Sequence, residues 1–252
     1  MSEPTAAAAA AYADAAQVDA EEAAAHAQVS VHEVAMADLQ DASGLVAHLW
    51  GPQGDADSQL LRAVLHAGNS ALVATQGGRP VGGSLGFLGW DEGVHLHSYG
   101  AAVLEGHRSH GVGFALKLTQ RAICLRQGVR EIRWIFDPMR ARNAHFNVVK
   151  LGARVRAFRP GFYIADQMDR VEVTWALDAP VGARRQPGSS SDDHLTALVP
   201  VPPDILALDD QDPVTAQEIR RTSTDRFGQL FRDGWSPTWV EGGWRFSPPA
   251  NP

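Results

Sequence analysis

Fourteen residues, Val103-Leu104-Glu105-Gly106-His107-Arg108-Ser109-His110-Gly111-Val112-Gly113-Phe114-Ala115-Leu116, restrict what this chain can fold into more than any other stretch. Val94 to Val103 reads as a strand. Phe114, Leu116, Leu118, Ile123 and Leu125 then recur at helical spacing between Lys117, Gln120, Arg121 and Arg126, so the chain turns from extended to helical at the glycines. Gly111 and Gly113 lack a Cβ, which lets successive amides point into one concavity and lets a bulky anion reach the backbone. A helix N-terminus adds unpaired N–H groups and partial positive charge. Together these features outline a phosphate cradle. It is not the dinucleotide fingerprint, because Leu116 stands where a third glycine is required, and the Gly-Lys-Ser/Thr of a Walker loop is missing.

Composition narrows the setting. The 252 residues are 44% hydrophobic, enough to fill a sizeable core, and carry a net charge of −7. The sequence pI is near 5.8. No basic stripe with interleaved aromatics appears, which argues against nucleic acid as a partner. Cys124 is the single cysteine, so disulfide frameworks and cysteine-based zinc sites within one chain are excluded, and a reducing compartment, the cytoplasm, is the expectation. No stretch approaches the apolar length of a membrane span. Residues 1–27, dominated by alanine with scattered acids, read as a frayed or disordered tail.

In chain order, Gln28 to Val34 alternates as a strand, Asp38 opens a helix with Leu39, Leu45, Val46 and Leu49, and Leu60, Leu61, Val64 and Leu65 mark another. Ala71 to Ala74 and Val81 to Leu88 are strands around a glycine turn, and Gly82, Gly83 and Gly86 imply a bulge or close packing. Val94 begins strand four. After the long helix, Glu131 to Phe136 is strand five, a helix follows from about Arg142, and Arg154 to Phe158 and Arg170 to Leu177 complete the strands. Residues 179–194 read as a flexible linker. Residues 195–252 form a small extension: a strand at Leu198 to Val201, a helix opened by Asp212-Pro213 and ended by Gly234, and a tryptophan-bearing extended tail. Too short to stand alone, it is expected to dock on the core.

Arg108, Gly111 and Gly113 resemble motif A of the GNAT acyl-CoA N-acyltransferases, R/Q-x-x-G-x-G/A, with Glu105 in place of the usual proline. Asn143 through Leu151-Gly152 is similar to motif B, with Val148 where many members carry a tyrosine that protonates the departing thiolate. The C-terminal tail resembles a subgroup described as predicted acyltransferases with a C-terminal extension. The resemblance implies an α/β GNAT fold over residues 28–178: a mixed central sheet splayed between strands four and five, helices on both faces, and a small C-terminal α/β appendage. It also implies acetyl-CoA or another acyl-CoA as co-substrate and a small amine or amino acid as acceptor, and leaves a homodimer open. No metal is implied, since His95, His97, His107 and His110 lack carboxylate partners and ligand spacing.

By that resemblance, backbone groups from Ala101 to Val103 would receive the pantetheine arm and thioester oxygen. The diphosphate would rest on Arg108, Ser109, His110, Gly111, Val112, Gly113 and Phe114, and Asn143 would contact the pantetheine or the adjoining helix. His95, His97 and Tyr99 share one face of strand four by alternation, with Ser98 on the other. His97 and Tyr99 occupy the two places that hold proton-relaying histidines in the aralkylamine N-acetyltransferases. His97 is therefore the candidate base and Tyr99 the candidate acid, although a hydrogen-bonded strand histidine and a core tyrosine fit the residues equally well. Asp137 ends strand five and is a candidate for holding an amine acceptor, or an ordinary Asp-Pro terminator. Two function classes follow: an N-acyltransferase, and a non-catalytic acyl-CoA-binding module consistent with Val148 and Glu105.

Overall fold

The computed structural model describes residues 5–34, 55–163, 168–179, 181 and 196–249. The helix expected after Asp38 and most of the expected linker lie outside them. The chain divides into two compact units, Met1–Ile132 and Arg133–Pro252.

In the first unit, strands β1 (Ser30–Glu33), β2 (Ala71–Gln76), β3 (Arg79–Gly89) and β4 (His95–Val103) pair antiparallel in sequence order. Registers such as Val31 opposite Ala74, Val73 opposite Gly83 and Phe87 opposite His97 follow the alternation of the sequence. Helix α1 (Ala6–His26) precedes the strands, α2 (Asp55–His66) lies between β1 and β2, and α3 (Val112–Arg126) follows β4. A methyl group on Gly82 would lie 3.1 Å from Val112 Cγ1, so Gly82 admits close packing by the next helix, whereas one on Gly86 would meet Leu96 of β4. Ala27, Val29, Leu72, Ala74, Val81, Val112, Ala115 and Leu116 form the core between sheet and helices.

Helix α1 overturns the reading of residues 1–27 as a disordered tail. Alanine is the strongest helix former, and Thr5 Oγ1 caps the first turn by accepting from the Ala8 amide at 3.3 Å. Ala13, Ala16 and Ala20 form a buried stripe whose small side chains let α1 lie close against α3. Arg121 donates to Asp19 at 2.8 Å, Arg126 to Gln17 at 2.9 Å, and Ala27 reaches Gly111, so the two helices run antiparallel. Because α1 covers its outer side, α3 is buried nearly all round. Lys117, Gln120 and Arg121, which the periodicity places on a polar face, are each less than 5% exposed.

In the second unit, β5 (Glu131–Phe136, its first two residues across the division), β7 (Arg170–Ala176) and β6 (Arg154–Arg159) are neighbours in that order. Between β5 and β6 lies α4 (Ala141–Ala144), continued by a π-helical turn over His145–Lys150. Beyond the linker, β8 (Ala197–Pro200), β10 (Gly243–Ser247) and β9 (Ser236–Val240) form a three-stranded antiparallel sheet beside α5 (Ile205–Gln211) and α6 (Pro213–Arg232). Asp204 and Asp212 cap the two helices, the second as the Asp-Pro pair predicts.

The extension joins the unit of β5 to β7 through aromatic packing. Phe227 stands 5.2 Å from Phe158 and 5.1 Å from Phe246, and Trp244 Nε1 donates to the Pro138 carbonyl at 2.8 Å. Thr224 Oγ1 also bonds Asp169. Arg220 ties α6 to the end of β5, with NH1 on Asp137 Oδ2 at 3.1 Å and NH2 on Asp209 Oδ2 at 2.8 Å. Asp137 is 8% exposed, so removing its cation would strand a nearly buried carboxylate. Arg220→Met is therefore expected to cost about 3 kcal/mol of stability, read by urea unfolding; a loss below about 1 kcal/mol would show that solvent already screens the pair.

Candidate active site

The cradle is built where β4 ends. Leu104 makes the last rung, its amide donating to the Val81 carbonyl at 2.9 Å, and Glu105–His107 then form one 3-10 turn. Arg108 closes that turn: its amide bonds the Glu105 carbonyl, and its Nε donates to the Val103 carbonyl at 3.1 Å. Ser109 at φ +69° and Gly111 at φ +89° both take left-handed backbone and turn the chain into α3. The amides of Phe114 and Ala115 share the Gly111 carbonyl, both at 3.0 Å. Among the described residues, the amides of His110, Gly111, Val112 and Gly113 make no backbone hydrogen bond of good geometry. Four consecutive N–H groups at a helix start, beside the exposed Arg108 and His110, make this turn the candidate anion site.

Glycine is required at Gly111 by its positive φ and by α1, since a methyl group there would lie 3.3 Å from Ala27 Cβ. At Gly113 a methyl group would meet only Val103 Cγ2, at 3.8 Å. The second glycine thus keeps the mouth of the cradle open.

Strand β4 carries a bulge. Gly86 pairs with Ser98 and Leu85 with Gly100, so Tyr99 has no partner on β3 and the alternation restarts after it. Ser98 and Val103 consequently face α3, where Lys117 Nζ donates to Ser98 Oγ at 2.7 Å and Val103 lies beside Gly113. His97 and Tyr99 face the other way with Phe87, at ring separations of 5.2 Å for Phe87–His97 and 6.0 Å for Phe87–Tyr99. Tyr99 is 52% exposed, so it is not a core aromatic. Ala101 is exposed and Val103 half-buried. His95 leaves this group: it is buried, its ring lies across Gly89, and Nδ1 is 3.0 Å from the Gly93 carbonyl.

Behind β4 lies a buried polar chain that periodicity did not reveal. Lys117 donates to Ser98, and Ser98 Oγ donates to Gln120 Oε1 at 3.1 Å. Burial lowers the Lys117 amine to about 7 and pushes the Cys124 thiol up to about 12. Amine and thiol are both held towards their neutral forms, and Cys124 is an inert core residue.

In the second unit, Asn143 is half-buried in α4, and the motif B segment continues into the π turn, a distortion frequent at functional sites. The Asp137 carboxylate is already committed. Oδ1 accepts from the Met139 amide at 2.8 Å and Oδ2 from Arg220. In the structure Asp137 anchors α6 and the turn after β5, and both of its carboxylate oxygens have protein partners. A sequence shows the acid but not the distant arginine that claims it. Among the described residues, no group of three or more His, Cys, Asp or Glu side chains could hold a metal ion, and no helix is long and apolar enough to cross a membrane.

Four antiparallel strands backed by a helix that begins at a strand-to-helix turn with left-handed backbone define the class: an α/β domain. Residues 32–148 match the model of the Acetyltransferase (GNAT) family, so this segment is a GNAT-type domain within the chain. Solved structures with the same fold include Arabidopsis thaliana Naa50 in complex with the bisubstrate analogue CoA-Ac-MVNAL (19% identity, 59% of this chain and 99% of that one, TM-score 0.50). The ribosomal-protein-S18-alanine N-acetyltransferase of Escherichia coli is similar over 59% of this chain and 94% of its own, at 14% identity and TM-score 0.50. Drosophila melanogaster polyamine N acetyltransferase is similar over 59% and 99%, at 11% identity and TM-score 0.50. No curated protein matches the chain.

Proposed function

We propose that this protein is an acyl-CoA-dependent N-acyltransferase that moves an acyl group, in the simplest case acetyl, from the CoA thioester to a small amine or amino acid by direct attack in a ternary complex. The observation that carries the reading is the run of four uncommitted amides from His110 to Gly113, in a domain whose family is built on acetyl transfer. A diphosphate takes charge-assisted hydrogen bonds from such amides, and Arg108, fixed through Nε, adds a positive group beside them.

The thioester then lies along the end of β4. The acceptor nitrogen attacks the carbonyl carbon, a C–N bond forms, the C–S bond breaks, and the electron pair leaves on sulfur. His97 takes the proton lost by the amine. Tyr99, turned outward by the bulge, returns a proton to the thiolate and stands in for the motif B tyrosine that Val148 replaces. Positioning and a preorganised oxyanion donor supply most of the acceleration in such a site.

Calorimetry with CoA and acetyl-CoA, and CoA release measured over a panel of amines and amino acids, test the reading. His97→Ala is expected to lower kcat/KM by roughly a hundredfold or more while leaving the CoA dissociation constant unchanged. CoA binding without turnover on any acceptor would favour the non-catalytic module, for which Val148 is the supporting observation.

A further inference from the structure

We infer that His26, the last residue of α1, is a phosphate-contacting residue of the CoA site, so that an N-terminal helix outside the family-matched domain completes the cradle. The inference rests on the acyl-CoA reading above. Helix α1 ends at His26, whereas the family match begins at residue 32.

The placement follows from packing. Three independent ties fix α1 along α3: the buried alanine stripe, the Asp19–Arg121 ion pair at 2.8 Å, and the Gln17–Arg126 hydrogen bond. Their register brings the end of α1 to the start of α3. Both His26 and Ala27 meet the cradle glycine, with Ala27 Cβ 3.3 Å and His26 Cδ2 3.9 Å from the point a Gly111 side chain would occupy. The His26 side chain is exposed there, while Ala27 is buried and takes the packing role. His26 therefore stands beside Gly111, one of the four residues whose amides make the run from His110 to Gly113.

Electrostatics gives the position its meaning. The C-terminus of a helix carries partial negative charge and would repel a phosphate brought beside it. Two features reduce that conflict. The carbonyls of Ala23, Ala24 and Ala25 accept from the amides of Ala27, Val29 and Gln28, so they do not face the site unpaired. A ring that can carry positive charge and donate from nitrogen occupies the end of the helix. With Arg108 and His110 on the turn itself, His26 adds a basic wall from a second element, and a phosphate oxygen can accept from its imidazole.

The test is a charge series at position 26 in the full chain, with CoA and dephospho-CoA as probes in calorimetry at fixed pH and ionic strength. His26→Ala should weaken CoA binding by roughly threefold to tenfold, His26→Glu more, and His26→Arg should bind as well as the parent or better. A loss that persists with dephospho-CoA assigns the contact to the diphosphate; one that vanishes with it assigns the contact to the 3′-phosphate. Urea unfolding of each variant controls for the fold: since His26 is exposed at a helix end, Ala and Arg should leave stability nearly unchanged, and Glu, an acid at a helix C-terminus, should lower it only slightly. Equal CoA affinity across Ala, Glu, His and Arg would overturn the inference while leaving the acyl-CoA reading intact. Failure of the parent chain to bind CoA at all would overturn both.

Discussion

Gly113→Ala should weaken CoA binding by roughly tenfold or more and leave the fold as stable as before, or up to about 1 kcal/mol more stable. The two effects separate because the position is helical and uncrowded. Its φ is not in the left-handed region, and the new methyl group would touch only Val103, at 3.8 Å. Alanine relieves the backbone entropy that glycine loses in a helix, but on the acyl-CoA reading its methyl would fill open space beside the amides that the diphosphate needs. Gly111→Ala should behave differently. At φ +89°, with Ala27 3.3 Å away, it forces left-handed backbone on an alanine and pushes against α1, which together cost about 2 kcal/mol or more. Calorimetry and urea unfolding on both variants would check this. A Gly113→Ala protein that binds CoA like the parent would show that the ligand does not lie on these amides.

The second large effect concerns pH. Lys117, lowered from 10.5 to about 7 by burial, is largely neutral in the folded state above pH 7 but protonated in the unfolded chain up to about pH 10.5. The unfolded state therefore binds more protons across this window, and stability should rise with pH through it. Cys124 acts with the opposite sign. Its thiol, raised from 9.0 to about 12, stays protonated when folded and ionises on unfolding above pH 9, so its contribution falls as pH rises from there. The two slopes cancel between pH 9 and 10.5. Stability from this pair should thus climb from pH 7 to 9 and then level. Lys117→Met should abolish the climb, and its stability advantage over the parent should be largest near pH 7 and shrink towards pH 10. Parallel stability curves for the two proteins would refute the assignment.

The backbone of the candidate site is legible in the sequence, because it is local. The strand-turn-helix at Val103 to Leu116 is specified by two glycines and a switch of hydrophobic period, and both survive in the structure as a left-handed turn and an open helix start. The opposite orientations of Ser98 and His97 follow from strand alternation. The bulge at Tyr99 was not locatable, because a one-residue slip is set by the pairing of two strands rather than by either sequence. Asp137 shows the same limit: its carboxylate looks available until Arg220, 83 residues later, is found on it.

Helix α1 marks the sharpest division between the two sources. Its composition is equally that of an uncommitted alanine tail and of a close-packing helix, and the difference lies in whether a groove of matching shape exists elsewhere. Helix α3 supplies that groove, and in receiving α1 it buries Lys117, Gln120 and Arg121, which by period alone belong to a solvated face. By itself the sequence determined where the chain is extended, where it turns and where its amides are left over, since those depend on a few adjacent residues and on steric limits of the backbone. Only the tertiary structure decided which polar groups are buried, which charges are paired and what stands beside the cradle. Burial and pairing are properties of surfaces brought together from distant parts of the chain, and no window of sequence contains both halves.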